Sequence, residues 1–131
     1  NRLVVKRELL NTAMYPAPDD TINHSGMSAL ERRFGVSVGY SDPTLDDLAC
    51  LSAVALGAKV IEKHFTLDKS LAGADHYISM EPAEFARMVG KIRRLQVMLG
   101  NGGIAPAPAE EAVRTQRHRC LIARCDIAAG E

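Results

Sequence analysis

At 131 residues with 47% hydrophobic content, the chain can bury the core of one ordinary domain. Sixteen basic residues balance sixteen acidic ones, which excludes a strong electrostatic draw to nucleic acid or to an anionic membrane surface. Three cysteines, none in a CxxC pair, argue against a disulfide framework and a structural zinc site, and with no bilayer-length apolar run and no signal peptide the expected setting is cytoplasmic.

In chain order, Leu3-Val4-Val5 and Leu9-Leu10 suggest a first strand, broken by Lys6-Arg7-Glu8 and leading toward Tyr15. Pro16-Ala17-Pro18-Asp19-Asp20 is then a loop, because two prolines and two aspartates disfavour both regular structures. Ser25 to Phe34 reads as a short helix with Met27, Leu30 and Phe34 on one side and Gly35 as its stop.

The stretch from Val36 to Thr66 organises the rest. Val36 to Ser41 alternates as a strand should and runs into Asp42-Pro43-Thr44, where a helix is expected, capped by Asp42 with Pro43 or by Thr44 with Asp47. Leu45, Leu48, Leu51 and Ala55 would be its apolar stripe and Gly57 its end. Lys59 to Thr66 is a second strand, with Val60, Glu62 and His64 on one face and Ile61 and Phe65 on the other.

A long polar loop from Asp68 to Ser79 follows, and Glu81-Pro82 opens a helix to about Leu99, apolar at Phe85, Met88, Val89, Ile92, Leu95 and Leu99. Gly100 to Gly103 ends it. The Pro, Ala and Glu composition of 104–117 reads as a linker, and Arg119 to Arg124 as a last strand with nothing left to pair with. Basic residues at Lys91, Arg93 and Arg94 and at Arg114, Arg117 and Arg119 lack interleaved aromatics, so a solvated helix face and linker explain them better than an RNA patch. Three strands alternating with three helices argue an α/β fold with a parallel sheet, doubly wound or part of a (β/α) barrel. A closed barrel needs about 200 residues or more, so half a barrel is what fits.

Parallel α/β folds gather ligands at the C-terminal ends of their strands, and Glu62 and His64 lie side by side near such an end. A neutral imidazole there can ligate a divalent metal, although a histidine hydrogen-bonded inside a core is the simpler reading of His64 taken alone. Ser41 ends the preceding strand just before the expected helix N-terminus, a place suited to a phosphate or to an ordinary capping serine. Tyr15 could meet a ligand or merely close the sheet, and Asp75-His76 could orient a polar substrate or be solvated.

Val38-Gly39-Tyr40-Ser41-Asp42, then Ala53 to Ala58, then Val60-Ile61-Glu62-Lys63-His64-Phe65-Thr66-Leu67-Asp68 resemble consecutive signatures of the sialic acid synthase family, which includes the N-acetylneuraminate, legionaminic and pseudaminic acid synthases. The resemblance extends to Tyr15-Pro16-Ala17-Pro18, Gly73-Ala74-Asp75-His76 and Ser79-Met80-Glu81-Pro82, and Arg119 to Glu131 is similar to the first strand of that family's C-terminal SAF (antifreeze-like) domain. It implies the C-terminal portion of a (β/α)8 TIM barrel over 1–100, a linker over 101–117 and the start of a SAF domain over 118–131. With Asn1 in place of an initiator methionine, the chain is expected to be a piece of a longer protein, inactive by itself.

The implied reaction condenses phosphoenolpyruvate with the open-chain aldehyde of a 2-acylamino sugar, with manganese or magnesium as Lewis acid, in a homodimer. Carried over by position, His64 matches a metal ligand, Glu62 an active-site carboxylate, Ser41 a phosphoenolpyruvate contact, and Tyr15 and Asp75 sugar-side contacts. The family normally reads Ser-Asp-His-Thr where this chain has Ser41-Asp42-Pro43-Thr44, and that histidine is a second metal ligand; Pro43 implies weaker metal binding. Two other readings compete: a degenerate relative that binds ligand without turnover, and an interaction module whose βαβ unit only packs on a partner.

Overall fold

In the computed structural model, which describes residues 7–117 and 119–130, three parallel strands lie in the order β1 (Arg7–Leu10), β2 (Ser37–Asp42), β3 (Ile61–Lys63). Arg7 pairs with Ser37 and Leu10 with Tyr40, while Tyr40, Ser41 and Asp42 stand opposite Ile61, Glu62 and Lys63. Arg7 and Glu8 therefore lie inside the first strand instead of breaking it; among the described residues β1 is an edge strand, and both side chains are exposed. The Leu3-Val4-Val5 part of the expected strand lies outside the described residues. Gly39 sets the spacing of the sheet: a Cβ there would meet Leu9 Cδ2 and the Val60 carbonyl at 2.6 Å, so no larger residue fits between the flanking strands.

Helix α1 (Ser25–Phe34) ends where expected, at Gly35, whose positive φ of 61° lets its N–H reach the Glu31 carbonyl. Met27 is buried against the sheet, but Phe34, expected beside it, is 60% exposed.

Helix α2 (Leu48–Ala55) starts later than the sequence suggests. The Asp42 carboxylate accepts the Thr44 N–H at 2.9 Å and holds 43–47 as a loop, so neither expected cap is used. The late start also changes the face that meets the sheet. Leu45 and Leu48 are 55% and 66% exposed, whereas Ala49, Cys50, Ala53 and Val54 are buried; small side chains let the helix sit close to β2.

Strand β3 is shorter than the expected 59–66. Beyond Lys63 the chain leaves β2 and bridges to Met80 instead: Met80 donates its N–H to the His64 carbonyl at 2.9 Å, and Thr66 donates to the Met80 carbonyl at 3.0 Å. Helix α3 (Pro82–Leu99) then begins with proline in its first turn, and the Glu84 carboxylate accepts the Glu81 N–H at 3.0 Å. Met88 is its buried residue, packed with Cys50 and Met80, and Phe85 and Ile92 flank it; Leu99 is half exposed.

The chain divides into two compact units, Asn1–Gly100 and Asn101–Glu131. The second contains a turn over Pro108–Glu110 and helix α4 (Glu111–Arg117), with the Glu110 carboxylate accepting the Ala107 N–H at 2.9 Å. The strand expected over Arg119 to Arg124 does not form: among the described residues nothing pairs with it, and Leu121 and Ile122 are exposed.

Candidate active site

Where β2 and β3 end, alternation sorts four residues onto two faces. Ser41 and Glu62 stand opposite each other on one face, and the Ser41 hydroxyl donates to Glu62 Oε1 at 2.7 Å. Asp42 and Lys63, the next pair in register, point into the layer between sheet and helices and form an ion pair of 2.9 Å, with side chains 0% and 1% exposed.

Asp42 is the hub of that buried group. It accepts from the Thr44 N–H, from Cys50 Sγ at 2.9 Å, from Lys63 Nζ, and more weakly from Tyr40 Oη at 3.4 Å. Lys63 Nζ also donates to the Thr44 carbonyl, so it joins β3 to the loop that follows β2. Burial by itself raises the Asp42 pKa, but the Cys50 and Thr44 hydrogen bonds and the Lys63 ammonium outweigh it and hold the carboxyl below its ordinary value. Burial first, and the Asp42 charge second, push the Tyr40 phenol up, while burial and the Asp42 hydrogen bond do the same to the Cys50 thiol. Cys50 is therefore a thiol that donates, not a nucleophile.

His64 follows Lys63 and lies against Tyr15, with ring centroids 5.3 Å apart. Tyr77 donates its hydroxyl to the Tyr15 carbonyl at 3.2 Å, which ties the 76–78 turn to the loop after β1. Asp75 precedes that turn; its carboxylate is exposed and its carbonyl accepts the Ser79 hydroxyl at 2.7 Å. His76 is held by Thr66 Oγ1 at 2.7 Å from Nδ1, so it is less free than a solvated loop histidine. The helix N-terminus expected beside Ser41 is displaced to Leu48.

The donors do not by themselves fit a divalent cation. Among the described residues no three His, Cys, Asp or Glu side chains converge, and Glu62 Oε1 already accepts from Ser41. Pro43, which has no side-chain donor, is fully buried. His64, directly after β3, places an imidazole two residues from Glu62.

Sequence reasoning missed the buried Asp42–Lys63 pair, since charged residues are read as solvent-facing by default. One signal was present: Lys63 lies two residues after Ile61, hence on the core face of β3.

Residues 8–103 match the model of the NeuB family. The chain belongs to the NeuB family. Among NeuB relatives, an uncharacterized protein of Methanocaldococcus jannaschii is 46% identical over 117 residues, covering 89% of this chain and 35% of that protein. The N,N'-diacetyllegionaminic acid synthase of Campylobacter jejuni is 42% identical over 120 residues, 92% of this chain and 36% of the synthase. The N-acetylneuraminic acid (sialic acid) synthetase of Leptospira borgpetersenii, solved in complex with citrate, superimposes with a TM-score of 0.70 at 34% identity, covering 84% of this chain and 39% of that one. This NeuB chain thus has an α/β fold like that of a sialic acid synthetase. It spans about a third of the length of the curated relatives it matches.

Proposed function

We propose that this chain supplies part of a (β/α)8 barrel in a nonulosonic acid synthase, which joins phosphoenolpyruvate to the open-chain aldehyde of a 2-acylamino sugar of the N-acetylmannosamine type. The observation that carries the reading is the Ser41–Glu62 contact at the C-terminal ends of β2 and β3, with the His64–Tyr15 ring pair following directly after β3 in the chain. The synthase names of the relatives support it.

In this reaction C3 of phosphoenolpyruvate bonds to the aldehyde carbon, water adds at C2, and C–O cleavage at C2 releases phosphate. Ser41 contacts phosphoenolpyruvate. Glu62, exposed and within hydrogen-bond reach of Ser41, is placed to accept a proton from the adding water. Tyr15 and Asp75 contact the sugar, and the Tyr77 bond to the Tyr15 carbonyl keeps their two loops together. Among the described residues no set of donors seats manganese or magnesium, and His64 is the ligand that the end of β3 offers to such a cation. Phosphoenolpyruvate implies a cytoplasmic setting, and the family resemblance a homodimer. Among the described residues no helix is long and apolar enough to cross a membrane.

The test is sugar-dependent release of phosphate from phosphoenolpyruvate by the protein that carries this chain, with Ser41→Ala expected to raise KM for phosphoenolpyruvate. The buried Pro43 favours a second reading, a relative that binds phosphoenolpyruvate without turnover. Calorimetric binding with no phosphate release would select it.

A further inference from the structure

We infer that Asp42 and Lys63 are positioning residues whose buried ion pair fixes the register at which Ser41 meets Glu62; what Ser41 and Glu62 bind rests on the function proposed above. Three residue pairs join β2 to β3, Lys59 donates to the Val38 carbonyl and Tyr40 to the Val60 carbonyl just before them, and the chain leaves the sheet directly after the last pair. The backbone bonds at 59–60 hold the start of this short parallel ladder, and its far end, where Ser41 meets Glu62, is left largely to side chains. A slip of one residue would turn Glu62 to the opposite face, and a slip of two would carry it past Ser41.

The last pair in the ladder removes both options. Lys63 Nζ is held by Asp42 Oδ2 at 2.9 Å and by the Thr44 carbonyl, so moving β3 along β2 would pull an almost fully buried ammonium away from both acceptors. Asp42 is itself fixed by the Thr44 N–H and by Cys50 of α2, which anchors the pair to the helix layer. Ser41 stands between Tyr40 and Asp42, and the side chains of both belong to this network. Its backbone is thereby held on each side while its own side chain faces the other way, toward Glu62. The group thus acts on the site through the strand, without touching what Ser41 and Glu62 would bind.

The deciding measurement is the carboxyl 13C resonance of Glu62 in the full chain, which reports the hydrogen bond from Ser41. Ser41→Ala gives the value without that bond. Lys63→Met is expected to move the resonance to the Ser41→Ala value. Should Lys63→Met not fold, Asp42→Asn/Lys63→Met removes both charges and keeps an acceptor for the Thr44 N–H; the same movement is expected. A folded variant whose Glu62 resonance stays at the wild-type value overturns the inference, and so does a Ser41→Ala spectrum in which Glu62 does not move. In the protein that carries the chain, the folded variant should raise KM for phosphoenolpyruvate about tenfold and change KM for the sugar less than about twofold. No turnover by the wild type refutes the proposed function and leaves the resonance test standing.

Discussion

Tyr77 donates its phenolic hydroxyl to the main-chain carbonyl of Tyr15, 62 residues earlier, at 3.2 Å. One bond therefore links the loop after β1 to the turn after β3, the two segments that carry Tyr15 and Asp75. Because the bond is exposed, Tyr77→Phe should cost only about 0.5–1 kcal/mol of stability. Its larger effect should be local: amide exchange around Tyr15 and Ser79 should accelerate while exchange in α3 stays unchanged. Uniform acceleration across the unit would mean that the bond supports the whole fold and not these loops.

His24, just before α1, packs edge-on against Tyr40 with ring centroids 4.6 Å apart, and its buried Nε2 has no hydrogen-bond partner among the described residues. Burial lowers its pKa, and the nearby Asp42 charge only partly opposes this. The unfolded chain thus binds a proton at higher pH than the folded one. Stability should fall as pH drops below about 6.5, the ordinary histidine value, and flatten once the folded histidine also titrates. Urea midpoints measured across that range should show a slope that His24→Asn reduces. An identical slope in the variant would place the titration elsewhere.

The buried pair makes a different acid prediction. Lys63→Met leaves Asp42 buried without its counter-charge and should cost about 3–5 kcal/mol in urea unfolding. Asp42 also has a depressed pKa in the fold, so the stability it contributes is present above the ordinary value of about 3.9 and is lost as pH falls through the lower folded value. Asp42→Asn should flatten the stability profile below about pH 4. A profile as steep as that of the wild type would contradict this assignment.

Much of the architecture was legible because the determining residues act locally. Gly35 ends α1 through its own positive φ, Glu81-Pro82 opens α3 through a cap formed within one turn, and Val38 and Tyr40 alternate inward along β2. What was not legible depended on side chains reaching across the fold. Asp42 delays α2 by accepting the Thr44 N–H, and this turned the leucine stripe outward and the small residues inward. Met80 takes over from β2 as the partner of residues 64–66, which shortened β3. At the site, Ser41 and Glu62 could be placed on strand ends by periodicity, but their contact follows from register, and the register partner of Asp42 is a lysine that pattern alone assigns to solvent.

Gly39 offers a check on sheet geometry that is independent of chemistry. Gly39→Val would drive side-chain atoms into Leu9 and the Val60 carbonyl and should destabilise the sheet by about 1–3 kcal/mol or more. Far-UV circular dichroism during thermal unfolding would register it. An unchanged midpoint would mean that β1 and β3 leave room for a side chain at position 39, contrary to the close approach of Leu9 and Val60.

The central claim is that Ser41 and Glu62 form part of a synthase site, and the most direct measurement is phosphate release from phosphoenolpyruvate by the protein that carries this chain. Phosphate should appear only when a 2-acylamino sugar is also present, and Glu62→Gln should slow its release by about a hundredfold or more without loss of fold. Release that ignores the sugar, or that is as fast with Glu62→Gln as with the wild type, would contradict that claim.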